Sequence, residues 1–266
     1  MKPRAALLDI DGTLIDSNDA HAQAWVDVCA EFGYEVEFDR VRRMIGMGGD
    51  KVLPELTGLS DEEGTGAEIK ERRGELFRER FLPTLQPFPQ ARELIQRMRD
   101  EGLTIVVATS ASKKDMGGLL KQAGIADLIE EKTSSSDAEH SKPDPDIIEA
   151  AVEAAGCPPG EAVMLGDTPY DVTAAKRAGV RCVALTCGGW GAEELHEAVA
   201  VYADPADLLA RFDESPFAFC ATASGRAGPR QPGFPGHGSS LPAVQCRLPR
   251  PERRGQPAGK RQVHGP

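Results

Sequence analysis

The 266-residue sequence predicts an α/β fold, a parallel-sheet core with helices on both faces, interrupted by an all-helical insert. Three observations carry this. From residue 86 onward, short apolar runs alternate with helical patterns, the mark of βαβ units and a parallel sheet. Residues 16–85 break that rhythm with helical spacing and no strand-like run. Two carboxylates one residue apart, Asp9 and Asp11, directly follow a short apolar segment.

Taken in order, Ala5-Ala6-Leu7-Leu8 reads as a strand buried on both faces, with Gly12 in the tight turn that follows. In the insert, Ala24, Trp25, Val28, Cys29 and Phe32 recur at helical spacing over Ser17 to Phe32. Ser60 with Glu63 predicts a capping box for a helix running towards Phe81. A third helix is expected from Phe88 to Asp100, ending near Gly102, before a buried strand from Leu103 to Ala108. Lys113 to Ala123 is the next helix, closed by Gly124. Asp144-Pro145 supplies an N-cap and a first-turn proline for a helix to Ala155, ended by Gly156. Then come strand Ala162 to Leu165, helix Asp171 to Ala178, strand Arg181 to Leu185 and a helix near Glu193 to Val199. The domain layout so predicted is a core of residues 1–15 and 86–212, a helical cap of 16–85 and a tail of 213–266.

Charge and cysteine usage narrow the function classes. The net charge of −11 divides into −18 for residues 1–214 and +7 for the rest. An acidic body argues against nucleic acid as a partner, because phosphate backbones demand basic faces. The tail is about one-third Gly plus Pro with no apolar period, which predicts disorder, and a chain ending near Phe212 is expected to keep its stability. Six cysteines lie scattered with no Cys-x-x-Cys pair, so neither a zinc site nor a disulfide framework is indicated. The first apolar run is too short for a signal peptide or a membrane span, and a cytoplasmic protein without membrane partners is expected. Oligomeric state has no signature in the sequence.

In an open α/β sheet the ligand crevice lies beyond the carboxyl ends of the strands. Asp9 and Asp11 therefore face it, as do Thr109 and Ser110 after one strand and Asp167 after another. Four carboxylates converging there, with Asp171 at the start of a helix, repel one another unless a cation is present. Mg²⁺ suits an all-oxygen site. Gly46-Met47-Gly48-Gly49-Asp50-Lys51 has the glycines of a nucleotide loop but neither the preceding strand nor the Gly-Lys-Ser/Thr ending.

The run Asp9-Ile10-Asp11-Gly12-Thr13 resembles the signature of the haloacid dehalogenase superfamily. Val106-Val107-Ala108-Thr109-Ser110, Ser141-Lys142-Pro143 and Gly166-Asp167-Thr168-Pro169-Tyr170-Asp171 resemble its other motifs in the same order. The resemblance covers about residues 1 to 212 and implies a Rossmann-like core with a helical cap that closes over the site. It implies Asp9 as nucleophile, Asp11 as general acid and base, and Lys142 beside Asp9 and a phosphate oxygen. Phosphate ligands would come from Gly12, Lys142 and either Thr109 or Ser110, between which two motif registers leave the choice open. The implied Mg²⁺ ligands are Asp9, the backbone carbonyl of Asp11, Asp167 and, through water or as support, Asp171. Lys51 in the cap is expected to meet a substrate's anionic end as readily as solvent, whereas His21, another candidate cap contact, is rather expected to be exposed or packed between helices. The implied activity is hydrolysis of a small phosphorylated metabolite of the phosphoglycolate or sugar phosphate type. A sugar phosphomutase resembling β-phosphoglucomutase is the alternative, suggested by His21-x-x-Ala24-Trp25, and a non-catalytic binding protein is the third reading.

Overall fold

A computed structural model describes residues 2–129, 131–134 and 138–218. It forms a single parallel sheet of six strands in the order β3-β2-β1-β4-β5-β6. The strands are β1 Ala5–Leu8, β2 Thr104–Ala108, β3 Glu131–Thr133, β4 Ala162–Gly166, β5 Arg181–Leu185 and β6 Ala200–Tyr202. The first strand is central, pairing Leu8 with Val107 on one side and with Leu165 on the other.

Side chains alternate across a strand, so a strand buried on both faces divides its residues between two cores. Ala6, Leu8, Ile105, Val107, Val163 and Leu165 point into one. Ala5, Leu7, Val106, Ala108, Ala162 and Met164 point into the other. The first core is covered by α5 Ala91–Asp100, α6 Lys113–Gln122 and α9 Pro205–Ala210, through Leu94, Leu119 and Leu208. The second is covered by α7 Asp146–Ala155 and α8 Pro169–Arg177, through Ile147, Ile148 and Val172. Each fully buried aliphatic side chain of this kind contributes about 1.5–3 kcal/mol.

The insert leaves and re-enters the core at one point, where Ile15 bridges Pro87 and the Asp16 amide donates to the Gln86 carbonyl at 3.0 Å. It holds α1 Asn18–Glu31, α2 Phe38–Arg42, α3 Gly49–Thr57 and α4 Gly64–Leu76, the last extended by one wider π-turn to Phe81. Trp25, Val28, Val41, Leu53 and Ile69 give it a core of its own.

Several local expectations give way to tertiary structure. The capping box on Ser60 and Glu63 does not form; Glu63 is itself the N-cap of α4, without a side-chain bond, and the Ser60 hydroxyl accepts from Glu62 instead. Asp144 does not cap α7, because its carboxylate is taken by Lys51 and Arg177. The helix near Phe88 starts only at Ala91, since Gln90 stands in the left-handed region at φ 58°. Glu193 to Val199 forms successive turns rather than a helix. Strands β3 and β6 are three residues each, too short to leave a periodic pattern, and both lie at the sheet edges. The boundary placed at residue 213 also moves, because Phe217 is fully buried in the first core and Ser215 is buried beside it. Ending the chain at Phe212 would remove a buried aromatic, a change worth about 3–5 kcal/mol when made by substitution. The rest of the expected tail, with Cys220 and Cys246, lies outside the described residues, among which Cys29, Cys157, Cys182 and Cys187 are free thiols. Among the described residues no helix is long and apolar enough to cross a membrane.

Candidate active site

Three parallel neighbouring strands end at one edge of the sheet, and each delivers a polar residue there: Asp9 after β1, Thr109 after β2 and Asp167 after β4. The loop before α7 adds Lys142, and the first turn of α8 adds Asp171, whose carboxylate and the Thr168 hydroxyl close a capping box. That box forms because Thr168 starts the helix in extended conformation, leaving its hydroxyl free to accept from the Asp171 amide.

Lys142 is fully buried, its ammonium 2.6 Å from Asp9 Oδ1 and 2.7 Å from Asp171 Oδ1. The other oxygen of Asp171 accepts from the Thr168 amide at 3.0 Å and hydroxyl at 2.7 Å. Both oxygens of Asp171 are thus engaged, which makes it first of all the support of Lys142. The Thr13 hydroxyl lies 3.2 Å from Asp9 Oδ2 and 3.0 Å from Asp167 Oδ1, tying these two carboxylates together. Burial works against the Lys142 ammonium, but Asp171 and Asp9 outweigh it and its pKa is raised. Burial pushes the Asp9 carboxyl up to about 7 against the pull of Lys142, and burial with the neighbouring Asp171 and Asp9 carboxylates holds Asp167 well above its ordinary value.

Asp11 stands in a different setting. Its Oδ1 accepts from the Ser17 hydroxyl at 2.6 Å and meets His21 Nε2 at 2.8 Å. Burial alone would raise it, yet His21 and Ser17 outweigh that and hold it below the ordinary carboxylate range. His21 is buried, stacks on Phe77 with ring centroids 4.0 Å apart, and meets a guanidinium nitrogen of Arg73 at Nδ1. A guanidinium only donates, so Nδ1 must accept and Nε2–H must be the group facing Asp11. Arg73 is flanked by Asp115, which also receives Arg78 at 2.7 Å.

The expectation that His21 is exposed or merely packed between helices is therefore corrected. His21 is the cap contact that the sequence offered as the lesser alternative, and Ser17, Arg73 and Asp115, which join it, are residues that spacing did not reveal. Lys51 goes the other way: its ammonium is 2.6 Å from Asp144 Oδ2, an ion pair joining cap to core, and it is not among the residues that line the site cavity. Thr109 and Ser110 both line it, but Thr109 Oγ1 accepts from its own loop at the Ala111 amide while the Ser110 hydroxyl donates to the Gly46 carbonyl of the cap. Gly12 stands at φ +76°, and a Cβ there would lie 2.3 Å from Asp167 Oδ2, so only glycine fits the turn.

Between core and cap lies a cavity of about 580 Å³, with Asp9, Asp11 and Ser110 at its floor and Trp25, Arg73 and Lys114 on its walls. At its base, carboxylate oxygens of Asp9, Asp167 and Asp171 come within 4.8 Å of one another. Buried carboxylates this close are strained as anions and offer oxygen donors only, which suits a hard divalent cation. The Asp11 side chain is not among them, being turned to Ser17 and His21.

Residues 6–185 match the family model described as haloacid dehalogenase-like hydrolase. The chain belongs to that family. It is 35% identical over 188 residues to "Protein SUPPRESSOR OF QUENCHING 1, chloroplastic" of Arabidopsis thaliana, which covers 69% of this chain but only 18% of that protein's length. It is 29% identical over 191 residues to phosphoglycolate phosphatase 1 of Pseudomonas aeruginosa, covering 70% of each. Among solved structures, a hydrolase from Pseudomonas syringae superposes with a TM-score of 0.74 at 31% identity, over 79% of this chain and 98% of that one.

Proposed function

We propose that this haloacid dehalogenase-like hydrolase is a Mg²⁺-dependent phosphatase of small phosphorylated metabolites that works through an aspartyl-phosphate. The observation that carries this reading is the contrast within the pair Asp9 and Asp11. One carboxylate is bound to the Lys142 ammonium and the Thr13 hydroxyl. The other has a proton-exchanging network of Ser17 and His21 around it.

In the first half-reaction an Asp9 oxygen attacks phosphorus, the bond from phosphorus to the ester oxygen breaks, and Asp11, whose carboxylate takes up a proton when the anionic phosphate enters beside it, delivers that proton to the ester oxygen. In the second, Asp11 takes a proton from water as the water oxygen attacks phosphorus, and the bond to Asp9 breaks to regenerate the carboxylate. Lys142 offsets charge on the transferring group in a buried setting, where such an interaction is strong. Asp9 and Asp167 with the Asp11 carbonyl would hold Mg²⁺, which supplies further charge neutralisation on the phosphoryl oxygens. Asp171 holds Lys142 in line. The walls of the cavity, with Trp25, Arg73 and Lys114, would receive the rest of the substrate, and a volume of about 580 Å³ admits a sugar phosphate as well as phosphoglycolate. The contact between His21 and Asp11 is the one feature favouring a phosphomutase as second reading, since it lets the cap govern when Asp11 meets water.

Two substitutions test the division of labour. Asp9→Asn should reduce phosphate release to background while substrate still binds. Asp11→Asn should lose about 10²- to 10⁴-fold on an alkyl phosphate, recover part of the transfer step with p-nitrophenyl phosphate, and accumulate phosphoenzyme in rapid-quench experiments. Equal residual rates with no phosphoenzyme in either variant would reject the scheme, and conversion of a sugar phosphate into its isomer without phosphate release would establish the mutase instead.

A further inference from the structure

Asn18, the first residue of α1, is buried at 1% exposure and makes contacts that none of the roles above requires. Its side-chain nitrogen lies 2.9 Å from Asp167 Oδ2 and 3.1 Å from the Gly188 carbonyl. Both partners can only accept, so the amide must present its N–H₂ to them, and the orientation of the group is fixed. Asn18 Oδ1 is then a buried acceptor with no partner among the described residues. A buried acceptor of this kind costs free energy unless something donates to it.

The Gly188 carbonyl is also held from the cap, by Arg42 Nη2 of α2 at 2.6 Å. Gly188 is pressed so closely on the candidate cation ligand that a Cβ there would stand 1.7 Å from Asp167 Oδ2. Two cap residues therefore converge on one core carbonyl beside Asp167, and one of them bonds Asp167 directly.

We propose that Asn18 is a positioning residue for the cation site, and that through Asp167 and Gly188 it makes cation binding and docking of the cap favour one another. The proposal rests on the metal reading above. A carboxylate that must ligate through one oxygen is oriented by what bonds the other, and Asn18 supplies that bond from the cap. Its free Oδ1 is an acceptor for a water of hydration, several of which Mg²⁺ retains. Coupling between two such events is reciprocal, so cation binding should tighten the cap by the factor by which the docked cap tightens the cation.

The test is a calorimetric titration of the full chain with Mg²⁺ for the wild type, Asn18→Ala and the near-isosteric Asn18→Leu, each shown to be folded by its thermal midpoint without metal. Weakening of Mg²⁺ binding by about 10- to 100-fold is expected in both variants, as for other residues that orient a ligand. Turnover at saturating Mg²⁺ should return to within a few-fold of wild type, a split between half-saturation and kcat that a merely structural role would not produce. Hydrogen exchange of the α2 and α3 amides should slow on adding Mg²⁺ to the wild type and respond little in the variants. Wild-type binding with unchanged affinity in both variants would overturn the role of Asn18 and leave the phosphatase reading standing. Absence of Mg²⁺ binding by the wild type would overturn the metal reading, and this proposal with it.

Discussion

The two walls of the cavity are built on opposite principles. The core wall comes from strand ends and the first turn of a helix, where neighbouring strands in fixed register place Asp9, Thr109 and Asp167 along one edge. The cap wall comes from helix faces far apart in sequence: His21 on α1, Arg73 on α4 and, reaching up from α6, Asp115. The core wall holds buried charge in a dense ion-paired knot. The cap wall adjusts one carboxylate through hydrogen bonds. In the proposed mechanism the sheet fixes the phosphoryl chemistry, whereas the cap sets the moment and direction of proton transfer.

The largest effect expected of this comparison lies on the core wall. Lys142→Met leaves Asp9 and Asp171 buried without their shared cation, so turnover should fall by roughly 10²- to 10³-fold for every substrate, whatever its leaving group. Breaking such a pair also destabilises by about 3–5 kcal/mol, to be read by denaturant titration. On the cap wall, His21→Ala should act only on the proton steps. A loss of about 10- to 100-fold on alkyl phosphates is expected, within what general acid–base catalysis is worth, and little loss on p-nitrophenyl phosphate. If the two variants showed the same dependence on leaving group, the separation of the walls would be wrong.

A third measurement needs no substitution. With the Asp9 carboxyl at about 7 in the metal-free fold, the folded state keeps a proton that an unfolded carboxyl, ordinarily near 3.8, has released. Folded protein then binds more protons than unfolded across that window, so stability is fully present below it and is lost as pH rises through about 7. The thermal midpoint of chelated protein should therefore fall by a few degrees between about pH 5.5 and about pH 8, and Mg²⁺ should flatten the slope. A midpoint that rises over the same range would show that the knot is already relaxed without a cation.

The same contrast explains what the sequence disclosed. Asp9, Asp167 and Asp171 were legible because a strand end or a helix start marks where each side chain emerges, whereas Lys142, in a loop, was legible only through the family resemblance of Ser141-Lys142-Pro143. Arg73 and Asp115 were not, since the contacts that join them to His21 and to each other span separations of 42 residues and more and leave no local spacing to read. Lys51 misled for a related reason: its position beside a glycine-rich loop said nothing of Asp144, 93 residues away, which claims its charge. Central strands were predicted well because burial on both faces writes an uninterrupted apolar run, whereas β3 and β6 at the edges are too short to do so.

The strand that ends just before Asp9 is made before the other five and waits for both of its neighbours. Leu8 finds one partner at Val107, roughly 100 residues later, and the other at Leu165, so β1 lacks its second neighbour until roughly 160 residues have followed it, many seconds at ordinary elongation speeds of about 5–20 residues per second. Non-local pairing of this kind is slow to form because the loop must close before any contact rewards it. A ribosome-bound chain that stops short of β4 therefore carries Asp9 and Asp11 beyond a strand lacking one neighbour, with Asp167, the carboxylate that shares the Thr13 hydroxyl with Asp9, not yet in place.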